Sequence, residues 1–193
     1  MAVEDKGLER SDTALLMMDA QRGIVERYAG GPEAMEPFAR ALSAARSRNI
    51  PVIFIRVAFR DGYPEISREN KAFSSIQNRG DMRLSDNSTR IHESVAPREG
   101  EPIVTKLRVS AFSGSDLELL LRSMGIGSLI LSGIATSGVV LSTLREAADK
   151  DYRLTVLSDA CLDADPEVHR VLMGKVFPRQ ADILTVAEWS ARS

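Results

Sequence analysis

Cysteine is almost absent from this chain: Cys161 is the only one. A lone cysteine excludes an internal disulfide framework and fits a reducing compartment. Histidine is nearly as scarce, with only His92 and His169. No apolar run approaches the roughly 20 residues that a membrane-spanning helix needs. The N-terminal stretch Met1–Gly7 is polar and lacks the apolar core of a secretion signal. Neither sign of charge dominates: 27 acidic and 25 basic residues leave a net charge of −2 with no basic stripe. Nucleic acid and membrane are therefore not expected partners, and a cytoplasmic location is.

What is present is an ample core. Of 193 residues, 44% are apolar, enough for one compact α/β domain spanning residues 1–193. Short aliphatic runs recur at Ala14–Met18, Val52–Val57, Ile103–Thr105, Ser128–Leu131, Leu154–Leu157 and Ile183–Val186. Most lack polar alternation, as strands buried on both faces do. Helical patterns lie between them. Pro32–Arg48 carries an apolar stripe at Met35, Phe38, Ala41, Leu42 and Ala45. Ser115–Met124 opens on Ser-Asp-Leu-Glu, a capping-box pattern with Ser115 at the N-cap. Ser137–Lys150 follows a glycine-flanked turn, and Pro166–Val176 follows Asp165 as its expected cap. Strand and helix in alternation predict a three-layer α/β/α sandwich around a mostly parallel, doubly wound sheet of about six strands.

The stretch from Ala58 to Glu101 breaks this rhythm. It is charged, punctuated by Gly62, Pro64, Gly80, Pro97 and Gly100, and weakly periodic. It reads as a long excursion with a short helix around Asn70–Ile76 and an exposed segment near Leu84–Arg90, of the kind that serves a site or an interface.

Ligands of open parallel sheets bind outside the carboxyl ends of the strands. Asp19, Lys106 and the turn after Leu131 all fall just past predicted strand ends. A carboxylate and an ammonium meeting there can move a proton and stabilise developing negative charge. The plainer reading makes Asp19 a loop cap and Lys106 a surface charge.

Three segments in order resemble the isochorismatase-like, or cysteine hydrolase, superfamily: Leu15–Gln21 (LLMMDAQ), Thr105–Phe112 (TKLRVSAF) and Gly133–Thr143 (GIATSGVVLST). The resemblance spans nearly the whole chain and implies the same fold. It also implies catalytic roles for Asp19 and Lys106, and an elbow whose nucleophilic cysteine position is occupied here by Val139. It implies a cis peptide at Ile134–Ala135 and an oxyanion hole from the N–H groups of Ala135 and Val139. A valine has no lone pair with which to attack a carbonyl. The expectation is therefore a small-molecule hydrolase acting without the thiol, as isochorismatases do on a vinyl ether. Asp19 would be general acid or base, Lys106 its partner, and no cofactor would be needed. The elbow sequence itself looks like the amidase-like branch. The competing reading is a non-catalytic binding or scaffold descendant.

Other residues beside the expected crevice are candidates for substrate contact: Gln21, Arg56, Phe59, Tyr63, Phe112 and Thr136. Arg and aromatic side chains suit a small carboxylate or ring. Equally, Arg56, Phe59 and Tyr63 could pack the excursion. Metal-binding relatives use Asp and His after the second strand. Here Arg56–Tyr63 contains no histidine, and Asp61 alone cannot hold a catalytic zinc, so no metal is expected. His169 reads as a helix-face residue and Cys161 as packing. Self-association as a homodimer or homotetramer is expected from the family habit and the long excursion.

Overall fold

The computed structural model describes residues 12–192, so the Met1–Gly7 stretch lies outside the described residues. Six strands make one parallel sheet: β1 (Thr13–Met18), β2 (Val52–Val57), β3 (Ile103–Lys106), β4 (Ser128–Ile134), β5 (Arg153–Leu162) and β6 (Asp182–Leu184). Their spatial order is β3-β2-β1-β4-β5-β6. Among the described residues seven α-helices accompany them: α1 (Arg22–Tyr28), α2 (Glu36–Ser47), α3 (Lys71–Arg79), α4 (Leu117–Ser123), α5 (Leu141–Asp149), α6 (Pro166–Val171) and α7 (Val186–Ala191).

Strand β1 shows why the sheet is central. Its residues Ala14 to Met18 are fully buried and feed alternately into two cores. Ala14, Leu16 and Met18 pack with Leu117 and Leu121 of α4 and Leu144 and Ala147 of α5. Leu15 and Met17 pack with Phe38, Leu42 and Ala45 of α2 and Trp189 of α7 on the other face. Period-two side chains apolar at every position can only be satisfied by helices on both sides.

Chain order reverses between β1 and β4, so their carboxyl ends diverge into a crevice at the switch point. The two strands approach closely there. Met18 pairs with Gly133, and a Cβ on Gly133 would stand 2.7 Å from the Met18 carbonyl oxygen. Only glycine fits this position.

The excursion after β2 carries a small core of its own: Val57, Phe59, Tyr63, Ile66, Phe73 and Met82. Phe59 meets the Phe73 ring edge-on at 5.7 Å, and the Tyr63 hydroxyl donates to the Asp81 carbonyl at 2.9 Å. These contacts seat α3 against the rest. Asn70 caps α3 through the Phe73 N–H, and Gly80 ends it with φ of 71°.

Several element boundaries depart from the sequence reading. Helix α1 was not among the expected helices; Gln21 starts it from extended backbone. The last strand stops at Leu184 and Val186 belongs to α7, where Thr185 and Glu188 form a capping box. Strand β5 continues to Leu162, carrying Cys161 beside Gly133. Ser115 forms no capping box: its hydroxyl donates to the Ala111 carbonyl at 2.6 Å and accepts from Leu117 N–H. Glu118 instead pairs with Arg122 and Lys150. Asp165 caps α6 as expected, through the N–H groups of Glu167 and Val168.

Candidate active site

Asp19 follows the last residue of β1 and turns the chain with φ of 55°, a left-handed conformation that Asp tolerates better than most residues. Its N–H is tied to the Ile55 carbonyl at 2.9 Å, which fixes the turn to β2. Lys106 ends β3. Although β2 separates β3 from β1 in the sheet, the long lysine side chain crosses it. Lys106 Nζ lies 2.9 Å from Asp19 Oδ2 and donates also to the Arg108 carbonyl at 3.0 Å. The pair is nearly sealed, with Asp19 5% and Lys106 2% exposed. Burial raises the Asp19 pKa above its ordinary value, and Lys106 opposes that rise without cancelling it. Asp19 Oδ1 has no hydrogen-bond partner among the described residues, so one carboxyl oxygen of the pair stays available.

The elbow closes the other side. The Ile134–Ala135 peptide is cis. One turn of π-helix, Thr136–Val140, leads from it into α5. Ile134, Ala135, Gly138 and Val139 line the crevice together with Asp19 and Lys106, around a volume of about 200 Å³. Val139 is buried and lines the same crevice as the ion pair, to which it adds a hydrocarbon surface. A Cβ at Gly138 would meet nothing nearer than the Ala135 Cβ at 3.8 Å; its lack of a side chain widens the crevice.

The remaining candidates separate into two groups. Gln21 is fully buried and spends its amide internally. Its Nε2 donates to the Val57 carbonyl at 2.9 Å and the Thr89 carbonyl at 3.1 Å, and its Oε1 accepts from Val57 N–H at 2.8 Å. It ties the end of β2 to the excursion. Arg56 points its Nε to Thr105 Oγ1 at 3.0 Å. Phe59 and Tyr63 support α3 from within the excursion's core, and Phe112 packs against Tyr152 with ring centroids 6.0 Å apart. None of these five lines the crevice. Thr136 turns away as well. Its hydroxyl lies 2.8 Å from His169 Nδ1 and 3.2 Å from the Leu162 carbonyl.

The structure adds residues, and contacts of His169, that sequence reasoning did not find. Neither Thr136 nor Ser137 caps the elbow through its side chain; Asp163 does so from 26 residues away, accepting Ser137 N–H at 2.7 Å. Burial works to raise the Asp163 pKa, but the hydrogen bonds from Ser137 and neighbouring N–H groups outweigh it and hold the carboxyl below its usual range. His169 contacts the elbow through Thr136, and burial lowers its pKa against the opposing field of Asp163. Ile24, Arg27 and Tyr28 of α1 and Phe73, Ile76 and Arg79 of α3 form the outer walls of the crevice. A short helix around Asn70–Ile76 was expected from sequence, but the direction in which α3 faces depends on tertiary contacts.

Cys161 is buried, and burial pushes its thiol up to about 12. It does not line the crevice. Among the described residues no group of three or more His, Cys, Asp or Glu side chains comes together as a metal site would require, and no helix is long and apolar enough to cross a membrane.

Comparison with known proteins matches residues 13–188 to the isochorismatase domain family. The isochorismatase family protein YecD of Escherichia coli O157:H7 is 30% identical over 185 residues, covering 94% of this chain and 96% of that one. The ureidoacrylate amidohydrolase RutB of Stutzerimonas stutzeri strain A1501 is 31% identical over 188 residues, covering 85% and 75%. Among solved structures, an isochorismatase family protein from Burkholderia thailandensis superposes with a TM-score of 0.82 at 27% identity, covering 93% and 94%.

Proposed function

The chain belongs to the isochorismatase family of hydrolases, and from that premise we propose that it hydrolyses a small molecule without a cysteine nucleophile. The observation that carries the reading is the buried Asp19–Lys106 pair facing Val139 across the crevice. A dry carboxyl with a raised pKa holds its proton to higher pH than a solvated one. That suits a general acid. On a vinyl ether, Asp19 gives its proton to the β-carbon and leaves an oxocarbenium ion. Water bonds to the cationic carbon and returns a proton to the Asp19 carboxylate. The resulting hemiketal breaks its C–O bond, giving an alcohol and a carbonyl compound. Throughout, Lys106 holds the carboxyl in place and offsets its charge. The N–H groups of Ala135 and Val139 are the proposed donors to substrate oxygen, an arrangement that survives loss of a side-chain nucleophile.

An amide substrate, as the name of the Stutzerimonas relative suggests for that protein, would need water itself as the attacking group, with Asp19 as general base. The two chemistries differ in pH response. Acid catalysis by Asp19 weakens as pH rises through its raised pKa, because the proton is lost. Base catalysis strengthens over the same interval. A panel of vinyl ethers, amides and small esters should yield a substrate, and its pH–rate profile should fall with rising pH. Absence of turnover on the whole panel would favour the second reading, a binding protein that kept the crevice, to which buried Val139 also lends support.

The protein is further proposed to be cytoplasmic and to form a homodimer or homotetramer. Exposed Leu84 on the excursion and exposed Ile103 on the edge strand β3 support self-association. Sedimentation at micromolar concentration should show a species larger than the 21.1 kDa chain; a monomer alone would refute it.

A further inference from the structure

The crevice has two chemically distinct ends. At its floor lie Asp19 and Lys106, with side chains only 7% and 2% exposed. At its mouth stand Arg27 of α1 and Arg79 of α3, with side chains 50% and 45% exposed. Between them the walls are apolar, formed chiefly by Ile24, Val57, Phe73, Ile76 and Met82.

Charge is not balanced along this path. The lining contains three cations, Arg27, Arg79 and Lys106, and one anion, Asp19. At the floor Lys106 is held by Asp19 at 2.9 Å, leaving both guanidinium groups to the mouth. These share one carboxylate, Asp81, at 3.5 Å from Arg27 and 3.1 Å from Arg79. One positive charge therefore remains uncompensated at the mouth, on groups whose fork geometry suits a carboxylate. At the floor, Asp19 Oδ1 is buried and unpartnered. A buried carboxyl oxygen without a partner is costly, so a ligand gains affinity by bringing a hydroxyl to it, which accepts from the protonated carboxyl or donates to the ionised one.

We infer that Arg27 and Arg79 determine specificity by selecting a small amphipathic carboxylate: its anion at the mouth, an apolar body along the walls, and a hydroxyl at the reactive end against Asp19 Oδ1. This rests on the proposed hydrolase reading for the word "reactive" alone; the selection is a property of binding. Asp81 has a part in it, since it holds the two arginines side by side and orders the fork before the ligand arrives.

The test measures binding, so it succeeds or fails independently of turnover. The probes are 4-hydroxycinnamate, its neutral amide 4-hydroxycinnamamide, and cinnamate, titrated calorimetrically against wild type and the Arg27→Gln/Arg79→Gln double variant. Wild type should bind 4-hydroxycinnamate at least tenfold more tightly than the amide, and raising salt should narrow the gap. The double variant should reduce that preference to under about twofold and leave amide affinity and melting temperature nearly unchanged. Removing the hydroxyl, in cinnamate, should weaken binding several-fold in both proteins. Equal affinity of wild type for acid and amide, a preference that persists in the double variant, or binding of neither probe would overturn the inference. A protein that prefers the carboxylate yet turns over nothing on the panel would uphold it and overturn the hydrolase reading. One that turns over a panel substrate yet binds acid and amide equally would do the reverse.

Discussion

Val139→Cys places a thiol in the crevice that holds the Asp19–Lys106 pair, and the expected reactivity can be worked out. Val139 is 2% exposed and packs into the core between β4 and α5. A thiol is close to valine in volume, so the fold should tolerate the change at a cost under about 1.5 kcal/mol. The existing thiol supplies an internal reference. With its pKa at about 12, Cys161 is ionised to roughly one part in 10⁴ at pH 8. A thiol at a helix N-terminus beside an ammonium falls to about 7 and is mostly thiolate at that pH. A less basic thiolate is also a poorer nucleophile; a Brønsted slope of about 0.45 over five pKa units removes roughly a factor of 200. Against a gain of about 10⁴ in thiolate fraction, the net advantage is on the order of 50-fold, before the easier access from the crevice is counted. The assay is timed iodoacetamide labelling at pH 8, with peptide mass mapping at positions 139 and 161 and a melting curve as the folding control. A variant that melts normally but whose new thiol reacts no faster than Cys161 would refute the reasoning. The crevice would then lack the field attributed to Lys106 and the elbow.

Two further substitutions probe the frame that positions the site. Gln21→Leu leaves the Val57 N–H and the Val57 and Thr89 carbonyls without their side-chain partner, and should cost about 2–4 kcal/mol in urea unfolding; a loss under about 1 kcal/mol would mean that the strut is redundant. Gly133→Ala drives a methyl against the Met18 carbonyl and Cβ at 2.7 and 2.9 Å, and should cost about 1–3 kcal/mol with a lowered melting temperature; an unchanged melting curve would show that β1 and β4 can separate freely.

Much of the architecture was legible because burial on both faces leaves a signature that needs no partner to read. The all-apolar β1 run announces a central parallel strand, and Asp19 and Lys106 follow from strand ends. The lysine's reach across β2 to within 2.9 Å of the carboxylate was less obvious, since strand order is not written in local pattern. The outer wall was least legible. Phe59 and Tyr63 were sensible candidates by residue type, yet they face inward to support α3, and the arginines that reach the mouth come from α1 and α3 instead. The weakly periodic stretch that holds α3 suggests a short helix but not what that helix meets. Asp163 was overlooked, and His169 read only as a helix-face residue, for the same reason. Each touches the elbow across 26 or more residues of chain, at spacings that carry no local signal.

The central claim is that the chemistry runs on a carboxyl and not on a thiol. It is tested most directly by measuring, on a substrate found in the panel, the turnover of Asp19→Asn and of Cys161→Ala against wild type in one experiment. The account predicts a loss of about 100-fold or more for Asp19→Asn and nearly full activity for Cys161→Ala, because the buried thiol stands outside the crevice. Retained turnover in Asp19→Asn, or its abolition in a folded Cys161→Ala, would contradict it.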